Sequence, residues 1–452
     1  MTNLMIDFNE AVGPIKRMHE VGQPPFGGGF ASINFAPMNY LKEANITYAR
    51  LHDVGGAFGG NRYVDVPNIF RNFDADVDDP ESYDFAFTDA LLAGMAEYGI
   101  EPIFRLGVTI ENQSFIKAYR INPPKDYDKW ARICEHIIRH YNEGWANGFH
   151  YGITYWEIWN EPDNRPDPKE NQMWTGTAED YYRLYDVAAK HLKACFGDSI
   201  KVGGFASCGF YHIYGEPEKY GMQLERVTES RYLSERAEYR MNFLYGFFDY
   251  IKEHQSPIDF FSWHTYAPAV RTFMMAKFLE KFLEERGFAG LETMLNEWNY
   301  AGMSHPETVG SSYQASEAAT TMILMQDTIT DMLCYYDARI AGITRFGGMF
   351  NGITGKPFCL YYVFKAFGEL YTLGTQVKCE TNHEELYALA ATDGEKKAVL
   401  MTYMGEGEIE VATPFESDAE VYLIDEEHML EKVDYNAANF TLKQYQVVLI
   451  KA

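Results

Sequence analysis

Two stretches of the chain each end an apolar run in a carboxylate beside an amide. The first is Thr154–Asp163, TYWEIWNEPD, where Glu161 follows Asn160; the second is Glu292–Tyr300, ETMLNEWNY, where Glu297 follows Asn296. One such glutamate could be an acidic turn after a strand. Two of the same design form a pair, and paired carboxyls can deliver a proton on one side of a bond and negative charge on the other. That is the chemistry of glycosidic hydrolysis. Ile153, Tyr155, Trp156, Ile158 and Trp159 are β-branched or aromatic, which suits a strand covered on both faces. Pro162 offers no N–H to a ladder, so pairing should stop near it and leave Glu161 at the strand's carboxyl end. In a parallel barrel, that end carries the chemistry.

The elements around these two motifs alternate. Strands are expected at Phe30–Phe35, Ile46–His52, Ile100–Leu106, the Glu161 segment, Lys201–Ala206, Asp259–Tyr266, the Glu297 segment and Met332–Ala338. Helical spacing falls between them, over Asn39–Ala44, Phe85–Tyr98, Tyr127–Tyr141, Phe243–His254, Thr272–Arg286, about 314–328 and Phe358–Leu370. Thr177-Ala-Glu-Asp180 resembles a capping box opening a helix that Gly197 should stop near Phe196. Eight such repeats predict an α/β fold, a (β/α)8 TIM barrel over residues 25–375. From about Gln376, LYALAATD, KAVLMTYM, EIEVATP, AEVYLID, ANFTLK and QVVLIKA are short strands parted by Gly, Asp and Asn turns. They predict an appended C-terminal antiparallel β-sandwich over 376–452, to which residues 1–24, with a strand at Leu4–Phe8, should add.

The formal charge of −26, with 65 acidic against 39 basic residues, repels nucleic acid and anionic membranes, so neither is expected as a partner. Six dispersed cysteines without a CxxC pair suggest reduced buried thiols, with neither a disulfide framework nor a zinc site. The opening residues, MTNLMIDFNEAVG, lack a basic and an apolar signal region, and no apolar run is long enough to span a bilayer. A cytoplasmic, soluble protein is expected.

On these residues, the chain is similar to the clan A glycoside hydrolases, and most resembles family 39, the β-xylosidase and α-L-iduronidase group. NEP at Asn160–Pro162 and NEW at Asn296–Trp298 carry the resemblance. RLHD at Arg50–Asp53, WHTYA at Trp263–Ala267 and FGGMFNGITGKPFCLYYVFKAF at Phe346–Phe367 support it. It spans residues 25 to 375 and departs at the eighth strand, LCYYDAR, which lacks a tryptophan. The resemblance implies a retaining glycosidase acting by double displacement, with Glu161 as general acid/base and Glu297 as nucleophile. Arg50 and Tyr266 would hold Glu297 ionised. Asn160 would bind the sugar 2-OH, His52 and His264 would bind hydroxyls or orient neighbours, and Trp298 would stack on the sugar. Trp156, Trp159 and Trp263 are assigned mostly to the core, and Glu111, Asp163 and Asp337 are left without a role.

The expected partner is an oligosaccharide or glycoside, with no cofactor and no metal; a homo-oligomer is left open. β-Xylosidase-like activity is preferred, and arabinofuranosidase, β-galactosidase or β-glucosidase activity on the same scaffold stays open. A metal-dependent hydrolase would need converging His and carboxylate ligands, yet no HxH or HExxH occurs. A non-catalytic carbohydrate-binding protein would need no acid–nucleophile pair. Long excursions at Val54–Ser82, Asp163–Gly176 and Arg339–Lys356 should rise over the catalytic face and wall a pocket, favouring release of single sugars from chain ends.

Overall fold

The computed structural model describes residues 2–28, 33–54, 64–110, 121–210, 231–340 and 347–452, with only the backbone of 231–234. Eight parallel strands close a barrel. They are β1 (Arg17–Gly22), β2 (Tyr48–Leu51), β3 (Glu101–Leu106), β4 (Tyr155–Ile158), β5 (Lys201–Ser207), β6 (Phe260–Thr265), β7 (Glu292–Trp298) and β8 (Thr330–Tyr335). Because helices cover the outside and side chains fill the inside, strands such as β4 and β6 are buried at every position.

The first strand is not where apolar content pointed. β1 closes the barrel by pairing with β2 through Val21↔Ala49 and with β8 through Tyr335↔Val21. Of the Phe30–Phe35 stretch, residues 30–32 lie outside the described residues, and Ile33–Asn34 form a two-stranded ribbon with Gly27–Gly28. β1 reads RMHEVG and is polar for a reason. The fully buried Glu20 carboxylate accepts from the backbone N–H groups of Thr47 (2.8 Å) and Tyr48 (2.7 Å), satisfying donors at the start of β2.

Most helices fall close to expectation, but the one expected over Phe243–His254 runs over Arg231–His254, beginning well before the apolar spacing that marked it. Tyr127–Glu143 lies between β3 and β4, and Ala178–Phe196 between β4 and β5. The capping box of the second is formed in both directions: Thr177 Oγ1 accepts from Asp180 N at 3.1 Å, and Asp180 Oδ2 accepts from Thr177 N at 2.9 Å. Gly197 follows Phe196 at φ +54°, a conformation in which a Cβ would be strained.

The remaining strands make one nine-stranded curled sheet. The N-terminal strand Thr2–Pro14 pairs antiparallel with Thr375–Thr381 and, at two positions, parallel with Glu408–Ala412. The sheet curls so far that Val411 and Phe440 from one end share an apolar cluster with Val421 and Leu423 from the other. It docks on helices Ser312–Gln326 and Cys359–Leu373, where Leu400 and Leu449 join the barrel core. Ser316 and Thr402 hydroxyls meet at 2.6 Å across that junction. Covered on both sides, Ser312–Gln326 buries even Gln314, Ser316 and Glu317.

The helix of Thr177 sits directly after the segment bearing Glu161, so its cap bears on the site. Thr177→Ala should lower stability by about 1 kcal/mol, whereas Thr177→Ser should keep most of the cap. The shift in the denaturant midpoint of the two variants checks this.

Candidate active site

β4 ends at Ile158, and the next residues leave the strand abruptly. Trp159 (φ +72°) and Glu161 (φ +43°) both take the left-handed region that non-glycine residues avoid. Neighbouring strands hold this turn: Trp159 N donates to Leu106 O at the end of β3 (2.8 Å), and Glu161 N donates to Ala206 O in β5 (3.0 Å). Glu161 thus stands three residues beyond the strand, at its carboxyl end. Glu297 reaches the same space from within β7, where it pairs with His264 of β6.

The two carboxyls face each other across His264. Its Nδ1 lies 2.8 Å from Glu161 Oε1 and 3.6 Å from Glu297 Oε2. One atom of each of the three groups lies within 4.8 Å of the others. Each glutamate is 7% exposed. The other Glu161 oxygen accepts from Asn164 Nδ2 at 2.8 Å. Glu297 Oε1 accepts from the Tyr266 hydroxyl, and its Oε2 accepts from Arg50 Nη1 at 3.2 Å.

These surroundings make the two carboxyls titrate as a pair. Burial pushes the Glu297 carboxyl up, and the charge of Glu161 adds to this against the pull of His264, Arg50 and Tyr266. Burial also raises Glu161, but a protonated His264 outweighs it through hydrogen bond and charge, and Arg240 adds to the fall, to about 2. The fall at Glu161 thus rests first on the hydrogen bond and charge of His264; without them burial is opposed only by Arg240 and Asn164.

Arg50 organises the rest. It is 1% exposed and donates from Nε to Glu157 Oε2 (2.8 Å), from Nη1 to Glu297, and from Nη2 to Asn160 Oδ1 (2.6 Å). Because a guanidinium only donates, it sets the Asn160 amide with its oxygen toward Arg50 and its NH2 group on the other side. Asn296 Nδ2 donates to the second Glu157 oxygen at 2.5 Å. His52 is buried, 3.3 Å from Asp53, and burial together with Arg105 and Arg50 holds its imidazole neutral, well below its usual range. Burial pushes Asp53 up to about 7. Its Oδ2 accepts from the Tyr336 hydroxyl at 3.1 Å, which in turn accepts from Gln23 Nε2 at 2.5 Å.

The structure thus brings Arg50, His52, Asn160, Glu161, His264, Tyr266 and Glu297 together. Trp298 is the exception and corrects the stacking assignment. Adjacent strand residues point to opposite faces, so with Glu297 inward Trp298 points outward. There it sits edge-on to Tyr335 (5.0 Å) and over Phe364 of the outer helix (6.4 Å). Trp156, Trp159 and Trp263 are likewise core. Asp163 is buried, raised by burial to about 6, and accepts from Ser207 Oγ and Cys208 N, both at 2.9 Å, which pins the turn after Glu161. Burial also raises Asp337 to about 6, with Arg339 3.1 Å away. Glu111 lies outside the described residues.

Sequence reasoning missed Glu157, Asn164, Cys208 and Arg240. Glu157 was legible as a lone charge in the apolar run YWEIW, which must find a buried partner. Asn164 lies three residues past Glu161. Arg240 donates to Cys208 Sγ at 2.8 Å from a helix remote in sequence, and nothing in its spacing points to the site. The Glu161–His264–Glu297 donors do not suit a metal ion. The Glu297 oxygen that faces His264 is the one that accepts from the permanently charged Arg50, so a cation there would have to displace or oppose a fixed positive charge.

A family model described as glycosyl hydrolases family 39 matches residues 40–296, more than half of the chain. A β-xylosidase of Geobacillus stearothermophilus is 24% identical over 260 residues, 53% of this chain and 42% of that protein. One from Caldicellulosiruptor saccharolyticus is 28% identical over 149 residues, 32% of this chain and 28% of that protein. The matched stretch covers less than half of either relative. Among solved structures, a glucosidase from Croceicoccus marinus superposes with a TM-score of 0.74 at 20% identity, covering 100% of this chain and 98% of that one. A monomeric β-xylosidase from Caulobacter crescentus gives 0.68 at 15% identity, covering 100% and 99%. At such identities the likeness is one of fold.

The Trp298 assignment has a direct check. Trp298→Phe should lower the melting temperature and leave KM unchanged, while Trp298→Ala should cost about 3–5 kcal/mol of stability. A raised KM with unaltered melting would instead place the ring against sugar.

Proposed function

Since the chain belongs to glycosyl hydrolases family 39, we propose that it is a retaining, exo-acting glycoside hydrolase of β-xylosidase type, with Glu161 as acid/base and Glu297 as nucleophile. The observation that carries this is the pair itself. Two buried carboxyls stand at the ends of β4 and β7 with oxygens within 4.8 Å. That closeness suits the separation of about 5–5.5 Å in retaining enzymes, not the wider gap that admits a water between them.

In the first step Glu161 gives its proton to the glycosidic oxygen as the bond from that oxygen to the anomeric carbon breaks. A Glu297 oxygen forms a bond to the same carbon. In the second, Glu161 takes a proton from water, whose oxygen displaces Glu297 and restores the starting state. Arg50 and Tyr266 favour the ionised Glu297 needed before the first step and released by the second. His264 and Asn164 fix the orientation of the Glu161 carboxyl. The NH2 group of Asn160, aimed by Arg50, donates to the sugar 2-OH, a contact that strengthens toward the transition state. His52 and the Asp53–Tyr336–Gln23 chain supply further donors and acceptors for hydroxyls.

Chain-end action is supported by loops packed at the strand ends. Asn171 Nδ2 donates to Pro162 O (3.0 Å), Arg105 Nη2 donates to Asp65 (2.7 Å), and Gly347 O accepts from Gln314 Nε2 (2.9 Å). Residues 55–63 and 341–346 of the same loops lie outside the described residues. A panel of aryl glycosides differing only in the sugar tests the xylose preference against arabinose, galactose and glucose.

Glu297→Gly should lose nearly all hydrolysis and recover glycosyl azide formation, with inverted configuration, when azide is added. Glu161→Ala should lose about 10²–10⁴-fold on natural glycosides and far less on activated aryl ones, whose leaving groups need no proton. Normal turnover by Glu297→Gly, or equal losses on both substrate types for Glu161→Ala, would overturn the assignment.

Time-resolved analysis of a β-linked oligosaccharide tests the exo reading. Monosaccharide should accumulate first as chain length falls one unit at a time, whereas early mid-length fragments would mean an open groove.

A further inference from the structure

Away from the strand ends, two neighbouring outer helices bring three unlike donors together. His191 and Cys195 lie four residues apart on Ala178–Phe196, hence on one face. Glu135 reaches them from Tyr127–Glu143. His191 Nε2 is 2.6 Å from Glu135 Oε2 and 3.8 Å from Cys195 Sγ, and all three donor atoms lie within 4.8 Å of one another. We propose that Glu135, His191 and Cys195 form a binding site for one borderline-soft divalent cation of the zinc class, remote from the glycosidase chemistry.

The donor set selects the class. One thiolate, one imidazole and one carboxylate suit zinc, cobalt or cadmium, whereas calcium and magnesium demand all-oxygen shells. Ligands about 2.0–2.3 Å from a tetrahedral ion stand roughly 3.3–3.6 Å apart. The sulfur–nitrogen gap is already near this, and the nitrogen–oxygen gap needs to open by about 0.7 Å, a small rotation of a side chain only partly buried. The carboxylate is already oriented for this. Glu135 Oε1 accepts from Arg139 Nε at 2.7 Å, and Arg139 also pairs with Glu143, so Oε2 is the oxygen turned to His191. Such an outer partner is what fixes a metal-binding carboxylate. Partial exposure of all three residues leaves a fourth position for water.

No ligand motif announces this site, because one donor comes from a different helix and the pair on the other reads HxxxC. Binding releases the Cys195 proton to solvent, so affinity should rise with pH. Held there, the ion would tie the helix that follows β3 to the helix that follows β4, raising stability without touching the carboxyl pair.

The test uses the intact protein, stripped with chelator and titrated with cadmium or zinc. Cadmium should give a thiolate charge-transfer band that saturates at one equivalent, and calorimetry should give one zinc per chain. Cys195→Ser should abolish the band, and His191→Ala should weaken binding at least tenfold. Cys379→Ser, which alters the other half-buried thiol, should change neither. Zinc should raise the melting temperature of the unsubstituted protein and of Cys379→Ser but not that of Cys195→Ser, and aryl glycoside turnover should be the same in every variant. Absence of stoichiometric binding, or undiminished affinity in His191→Ala, would overturn the site, and neither result bears on the roles of Glu161 and Glu297.

Discussion

One buried guanidinium holds the candidate site in register. Arg50 ties β2 to β4 through Glu157, to the tip beyond β4 through Asn160, and to β7 through Glu297. Its planar fork can meet three acceptors at once, a geometry that a lysine ammonium on a flexible stem cannot hold. One fixed cation faces two carboxylates, so the cluster keeps an excess of negative charge that burial penalises and that Asn296 and Tyr266 spread by donation. Removing a single member of such a buried set leaves a charge without compensation, typically at about 3–5 kcal/mol. Stability and the proposed chemistry therefore rest on the same contacts.

The carboxyl beyond β4 depends on a second constraint, an unfavourable backbone held in place from several sides. Trp159 and Glu161 take positive φ because strands β3 and β5 grip the turn, and Asp163 anchors its far side through Ser207 and Cys208. A relaxed continuation of the strand would alternate side chains in and out and carry Glu161 elsewhere. The turn instead delivers it beside His264. Groups held this firmly need little reorganisation as charge develops, which is how a fixed polar site lowers a barrier.

The nine-stranded sheet contributes to the site only through packing. It covers helices Ser312–Gln326 and Cys359–Leu373, which back β8 and β1, and it takes both chain ends into one structure. Gln314 on the first of these helices donates to Gly347 O and Tyr335 Oη near the eighth strand end. The appended domain thus supports the wall that carries Tyr336 and Asp337.

Much of this was legible in the residues. The alternation of apolar runs set the barrel, because each strand needs two covered faces and each helix one. The amide–glutamate motifs marked their own strand ends, since a carboxylate after an apolar run has nowhere to go but a polar cavity. Thr177, Asp180 and Gly197 wrote the bounds of a helix in local hydrogen bonds. What tertiary structure alone decided was pairing between distant segments. Arg17–Gly22 became the first strand because Glu20 caps backbone donors of β2, a partner that polarity in RMHEVG does not name. Trp298 went to the core because its neighbour Glu297 took the inner face, a choice set by register and not by residue type. Arg240 behind Glu161, and Glu135 beside His191 and Cys195, are joined across helices far apart in sequence. Such meetings are fixed by how whole elements pack, and no local spacing encodes them.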